Sequence, residues 1–114
     1  MSDSRLLQYL DEILQAANNA RDFTSGMSLE AFRTDKRTQQ AVVMSIVIIG
    51  EAAVQIMDRH PVFAAAHPDL PWQAMRGMRN RAVHGYFSID LTVVWDTVQT
   101  ALPDLLKQLS SVSK

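Results

Sequence analysis

Apolar residues recur at every third or fourth position along most of this chain, the spacing that places them on one side of an α-helix. The first such stretch covers residues 4–22 and is rich in leucine. Thr24, Ser25 and Gly26 follow it, and Ser28 can cap a short helical turn through Phe32. The pattern predicts an amphipathic helix and then one brief helical turn.

A second and longer helix is predicted after that turn. Thr34 and Asp35 supply an N-cap and a first-turn acid, and the helix runs to about His60, where Pro61 ends it. Its middle, residues 41–49, is apolar nearly all round. We therefore expect this helix to lie at the centre of the fold.

A proline-rich segment, residues 60–71, is predicted to be a connector. The helix that follows covers residues 72–84, and Pro71 suits its first turn. Gly85 is well placed as the residue after the helix, where it can adopt the left-handed conformation that ends helices.

The last predicted helix is capped by Asp90 and has an apolar stripe over residues 91–109. Pro103 falls within that stripe and should kink the helix or divide it. No segment shows a convincing strand pattern. The fold class is therefore predicted to be all-α, an up-and-down bundle of four main helices and a short one.

Length and composition fit a small globular protein, since 114 residues with 47% hydrophobic content suit one domain over 1–114. The absence of cysteine excludes disulfides and thiolate zinc sites and fits a reducing cytoplasm. No secretory signal is visible, and the longest apolar run is far shorter than the roughly 20 residues that span a bilayer. We expect a cytoplasmic protein without membrane contact.

Charge is unevenly distributed, although the net value is only −1. No acidic residue lies between Asp69 and Asp90. That segment carries four basic side chains: Arg76, Arg79, Arg81 and His84. A local cationic patch suits an anionic ligand held at one place. The alternative is that some of these arginines pair with acids elsewhere in the fold.

The chemistry of this segment centres on His84, the only side chain there that titrates near neutrality. It lies at a predicted helix C-terminus, where the helix dipole favours the imidazolium. Asn80 lies one turn before His84 on the same helix face. Arg79 is rotated by about 140° from His84 on an ideal helix. Tyr86 follows just beyond the helix end.

These residue types match the needs of RNA cleavage. RNA carries its own nucleophile, the 2′-hydroxyl. Its cleavage needs a base, an acid and a positively charged group beside the phosphate. Imidazole can transfer the protons, guanidinium can stabilise the phosphate, and no metal is required. Because one chain supplies one such histidine, a two-fold dimer would bring a second His84 and Arg79 into a shared cleft. The structural alternative is a helix-end histidine beside ordinary surface side chains.

The motif Arg79-Asn80-x-x-x-His84 resembles the signature of the HEPN superfamily, and the longer Arg-x-x-x-x-His-x-Tyr form resembles its HepT toxins. The similarity extends to Ile49-Gly50-Glu51-Ala52-Ala53, to residues 71–80 and to Val93-Val94-Trp95. The resemblance implies a helical, homodimeric, metal-independent endoribonuclease without a cofactor. By matching positions, Arg79 and His84 would be catalytic and Asn80 would support them.

The resemblance also implies a partner, a minimal nucleotidyltransferase antitoxin of the MntA kind. It would transfer AMP from ATP to Tyr86, and a bulky anion two residues from His84 would block the cleft and repel RNA. The alternative is a non-catalytic HEPN module that binds a nucleotide or docks the nucleotidyltransferase. On that view the motif residues are not catalytic.

Three further residues are candidates for support of the site or of substrate binding: Arg76, Arg81 and Glu51. Glu51 interrupts an apolar helix, so it either pairs with Arg79 or Arg76 or faces solvent. His60 and His67 lack metal-ligand spacing with His84, and a zinc site is not expected.

Overall fold

The computed structural model describes residues 2–112, with the backbone alone for residues 2 and 3. Its helices are α1 (Ser2–Phe23), α2 (Leu29–Arg33), α3 (Lys36–Arg59), α4 (Pro61–Ala66), α5 (Trp72–His84), α6 (Leu91–Asp96) and α7 (Leu102–Val112). A 3₁₀ turn, Tyr86–Ser88, follows α5, and a π-helical segment, Thr97–Ala101, joins α6 to α7. No strand occurs within residues 2–112, so the all-α prediction is confirmed.

Helix α3 lies at the centre of the bundle, as its sequence predicts. It packs against α1 on one side and α5 on the other, and α7 returns to α1. The apolar prediction for α3 is only partly right, because Met44 and Ile48 are 58% and 40% exposed. By length and composition α3 could cross a bilayer, but half of its apolar window is buried, which is also typical of a core helix.

The helix caps follow local sequence closely. Ser28 accepts a hydrogen bond from the backbone N–H of Ala31, and Asp90 caps α6. The predicted start of α3 is wrong by one residue: Thr34 ends α2, and Asp35 is the N-cap. The Asp35 carboxylate accepts hydrogen bonds from the backbone N–H and the hydroxyl of Thr38. These bonds, the backbone one most strongly, hold the pKa of Asp35 below its ordinary value.

The connector predicted over residues 60–71 is wrong in part, because it contains α4. Pro61 ends α3 and is also the first residue of α4, a position where its missing N–H costs nothing. Pro71 precedes α5 as its N-cap instead of lying in the first turn.

Two predictions concern the C-terminal half of the chain. Gly85 ends α5 with φ of −140°, so the predicted left-handed conformation is wrong, and the chain enters the 3₁₀ turn directly. Among residues 2–112 a positive φ occurs at Gly26 alone (φ 78°). Pro103 does coincide with a divided helix, since the π-helical segment lies immediately before α7.

Candidate functional site

Packing of α5 against α3 decides which motif side chains reach solvent. Trp72, Met75 and Ala82 form the buried stripe of α5. Asn80 and His84 lie away from that stripe and are exposed, whereas Arg79 lies next to it and is largely covered. One helix therefore presents the amide and the imidazole outward and directs the guanidinium stem towards α3.

Arg79 forms an ion pair with Glu51 of α3. Its Nε lies 3.2 Å from Oε1 of Glu51, and its side chain is 20% exposed. The Nε atom is buried and its N–H is not aligned on any acceptor within residues 2–112, so the contact is electrostatic and not a well-formed hydrogen bond. The Glu51 side chain is 52% exposed. Both expectations for Glu51 hold in part, because it faces solvent and pairs with Arg79.

Gly50, the residue before Glu51, allows α5 to approach α3 at this point. A Cβ at position 50 would lie 2.2 Å from Cβ of Arg79 and 2.7 Å from the carbonyl oxygen of Met75. No role is predicted for Gly50 in the sequence analysis above. The signal was nevertheless present, because glycine inside an apolar helix is unfavourable and indicates a close backbone approach.

His84 and Asn80 are free to meet a ligand. Within the part of the chain that the structure describes, neither side chain takes part in a hydrogen bond or an ion pair, and both residues are exposed. Arg79, in contrast, points towards α3. One copy of the chain therefore does not present all three groups on one face, in agreement with the rotation expected from their spacing.

Tyr86 lies in the 3₁₀ turn that follows α5, two residues after His84. It is partly buried, and its ring meets the ring of Phe87 edge-on at 5.8 Å between centroids. Phe87 itself is fully exposed, and Val83 is 51% exposed. The motif end of α5 therefore combines exposed polar and apolar side chains.

Arg76 and Arg81 do not join Arg79 at the ion pair. Arg76 donates a hydrogen bond to the side chain of Gln73 on its own helix. Arg81 lines an apolar cavity of about 360 Å³ between α5, α3 and the C-terminal helices, and its Nη1 lies 3.5 Å from Sδ of Met78. Of Arg76, Arg79 and Arg81, only Arg79 pairs with an acid within the described chain. Residues 4–112 contain no cluster of three His, Asp or Glu side chains that could hold a metal ion.

Comparison with known proteins finds relatives that match nearly the whole chain. A protein of Thermococcus cleftensis named probable ribonuclease HepT is 37% identical over 106 residues, which cover 93% of this chain and 94% of that protein. A candidate RNase of Methanocaldococcus jannaschii is 33% identical over 93% of this chain and 85% of its own length. A candidate RNase of Caldanaerobacter subterraneus is 33% identical over 91% of this chain and 90% of its own length. No solved structure matches the chain.

The family model described as "Ribonuclease HepT-like" matches residues 13–112, which is nearly the whole chain. The motif helix, the long central helix and the C-terminal helices all lie within that match. The chain therefore belongs to the HepT-like family.

Proposed function

We propose that this protein is an endoribonuclease toxin that cleaves RNA without a metal ion. The observation that carries the proposal is the exposed His84, whose imidazole has no hydrogen-bond partner in the described chain, on the same helix as the ion-paired Arg79. The relatives named as ribonucleases support RNA as the substrate. The cysteine-free composition supports a cytoplasmic location.

The proposed reaction uses the 2′-hydroxyl of RNA as the nucleophile. His84 removes its proton, the 2′-oxygen attacks the adjacent phosphorus, and the bond from phosphorus to the 5′-oxygen breaks. A second imidazole, supplied by His84 of a second copy of the chain, protonates the departing 5′-oxygen. Arg79 stabilises the phosphate charge, and Asn80 orients the phosphate or the imidazole.

A shared cleft in a homodimer reconciles this chemistry with the monomer geometry. In one copy Arg79 is directed towards α3 while His84 faces outward, and a single copy supplies one imidazole at the motif. Two copies related by a two-fold axis would supply two imidazoles and two guanidinium groups to one RNA strand.

Control by a partner nucleotidyltransferase is the second part of the proposal. The phenolic oxygen of Tyr86 gives up its proton to water and attacks the α-phosphorus of ATP. A new oxygen–phosphorus bond forms, the bond from the α-phosphorus to the bridging oxygen breaks, and pyrophosphate leaves. Tyr86 is partly exposed in a short turn next to the fully exposed Phe87, which supports access. The attached AMP would place a negative charge two residues from His84 and repel an RNA phosphate.

Cleavage of total RNA and transfer RNA by the purified protein in EDTA tests the nuclease. We expect the wild type to cleave, and His84→Ala and Arg79→Ala to lose cleavage while remaining folded. Arg59→Ala is the matched control, because Arg59 is an exposed arginine that bonds to Gln55 at the far end of α3. A 2′-deoxy substitution at the cleavage site should block the wild type. If the wild type cleaves nothing, or the motif variants cleave normally, the nuclease proposal is wrong and the non-catalytic binding module is favoured.

A further inference from the structure

We infer that Gly50 and Glu51 of α3 together position Arg79 for phosphate contact, so that Glu51 is a positioning residue of the nuclease site. This inference rests on the proposed function, because it concerns how Arg79 is held for that reaction. It assigns a role to two adjacent residues on a different helix from the motif.

The Arg79 side chain leaves α5 directly over the backbone of Gly50. Its Cβ and Cγ lie over the backbone of Gly50, at 2.2 Å and 2.9 Å from the place a Cβ would occupy. Any other residue at position 50 would push the stem of Arg79, or the whole of α5, away from α3. Gly50 therefore fixes where the arginine side chain leaves its helix.

The guanidinium end of that side chain lies beside Glu51. Glu51 lies beside Nε, the nitrogen nearest the stem, at 3.2 Å. A guanidinium group has five N–H donors in a rigid plane, and four of them are on the two terminal nitrogens. In the described chain the terminal nitrogens have no hydrogen-bond partner. An ion pair at Nε therefore holds the stem end of the group beside Glu51 and leaves the terminal donors for a phosphate.

The ion pair between Glu51 and Arg79 is poorly suited to a purely structural role. The Glu51 side chain is half exposed, and exposed ion pairs contribute little to folding. Helices α3 and α5 pack together and both carry buried apolar residues, including Ile49 on α3 and Met75 and Ala82 on α5, so their contact does not depend on the ion pair. The buried Nε atom, in contrast, has no hydrogen-bond partner in the described chain, so the carboxylate of Glu51 is the charged group that holds its position.

The test is a double-mutant cycle of RNA cleavage with Glu51→Gln, Arg79→Lys and the double variant. Lysine keeps a positive charge but lacks Nε, so it cannot make the same contact with Glu51. We expect Glu51→Gln to lower kcat by roughly tenfold to a hundredfold with little change in KM, because a small displacement of a positioned group costs that much. In the Arg79→Lys background the same change should have almost no further effect.

Asp58→Asn is the matched control, since Asp58 is an exposed acid two helical turns after Glu51 on the same side of α3. It should leave kcat unchanged, and thermal melting should remain close to that of the wild type for both acid variants. A Glu51→Gln effect of equal size in both backgrounds would overturn the inference and leave the nuclease proposal intact. Absence of cleavage by the wild type would overturn both.

Discussion

Gly50 of α3 and Arg79 of α5 are in closer contact than two residues with side chains could be. The space that a Cβ of residue 50 would take is filled by Cβ of Arg79, at 2.2 Å. Because α5 carries the motif, this contact links the packing of the bundle to the position of a candidate catalytic group. The candidate site thus involves two helices, although the motif lies on one.

The first prediction follows from that contact. Gly50→Ala should destabilise the protein by about 1–3 kcal/mol, because the new methyl group overpacks the interface between α3 and α5. It should also reduce RNA cleavage, since Arg79 must move. Urea unfolding and the cleavage assay measure the two effects.

The matched control is Gly77→Ala on α5, where a Cβ would meet nothing within 4 Å. This variant gains helix propensity without a clash, so we expect stabilisation by about 0.5–1 kcal/mol. Equal stability changes for the two variants would contradict the assigned contact between Gly50 and Arg79.

Asp35 provides a prediction about pH. Its pKa is lowered because the carboxylate accepts hydrogen bonds from the backbone N–H and the hydroxyl of Thr38. A depressed pKa in the folded state means that the charge stabilises the protein above the unfolded pKa, and that this stabilisation is lost as pH falls through the folded pKa. Asp35→Asn retains an acceptor but no charge, so its Tm should lie below that of the wild type at about pH 7.

The Tm difference between wild type and Asp35→Asn should decrease below about pH 4 and vanish once the wild-type carboxyl is protonated. Glu30→Gln serves for comparison. Glu30 is an exposed acid in the first turn of α2, and its carboxylate has no hydrogen bond within residues 2–112. A Tm difference for Asp35→Asn that stays constant into acid would contradict the assigned cap.

Local chemistry explains why much of the fold could be predicted from the sequence. Ser28 and Asp90 cap their helices through N–H groups within three residues, so the sequence contains both partners side by side. The Arg-Asn-x-x-x-His spacing likewise places Asn80 and His84 on one face of a helix without tertiary information.

Features that depend on tertiary packing could not be predicted in this way. The pairing of Glu51 with Arg79 depends on the register between α3 and α5, and the sequence left Arg76 as an equal candidate. Helix α4 was missed because Pro61 was interpreted only as the end of α3. The conformation of Gly85 depends on the 3₁₀ turn that follows, and a left-handed residue there would direct the chain elsewhere.

Tyr86→Phe separates catalysis from its proposed control. The phenolic hydroxyl has no part in the proposed cleavage, so the variant should cleave RNA at close to the wild-type rate. Incubation with ATP and the partner nucleotidyltransferase should add one AMP to the wild type and stop cleavage, and should do neither to the variant. Intact-protein mass and RNA cleavage report the two outcomes.

The chain has two tyrosines, so Tyr9→Phe is the matched control. Tyr9 lies on α1 beside His60, far along the chain from the motif, and its loss should leave both modification and neutralisation intact. Addition of AMP to Tyr86→Phe, or failure of AMP addition to Tyr9→Phe, would contradict Tyr86 as the modified residue.

The last prediction tests the proposed shared cleft of a homodimer. A homodimer of His84→Ala lacks both imidazoles, and a homodimer of Arg79→Ala lacks both guanidinium groups. Refolding the two variants together makes about half of the dimers mixed, if the copies assemble at random. Each mixed dimer retains one imidazole and one guanidinium on different copies.

If the two copies act on one RNA strand, a mixed dimer can still use its one imidazole as the base and its one guanidinium for the phosphate, while water must protonate the 5′-oxygen. The mixture should therefore cleave faster than either variant alone and much more slowly than the wild type. If instead each copy used only its own Arg79 and His84, no mixed dimer would contain a complete set, and cleavage would stay at the mean of the two parents. The Arg79→Ala partner can be replaced by a variant that carries both Arg79→Ala and His84→Ala. The mixed dimer then has no imidazole, and the recovery of cleavage should be abolished. Sedimentation of each sample shows whether the dimers compared are equally populated, so that a lack of recovery reflects the site and not a failure to assemble.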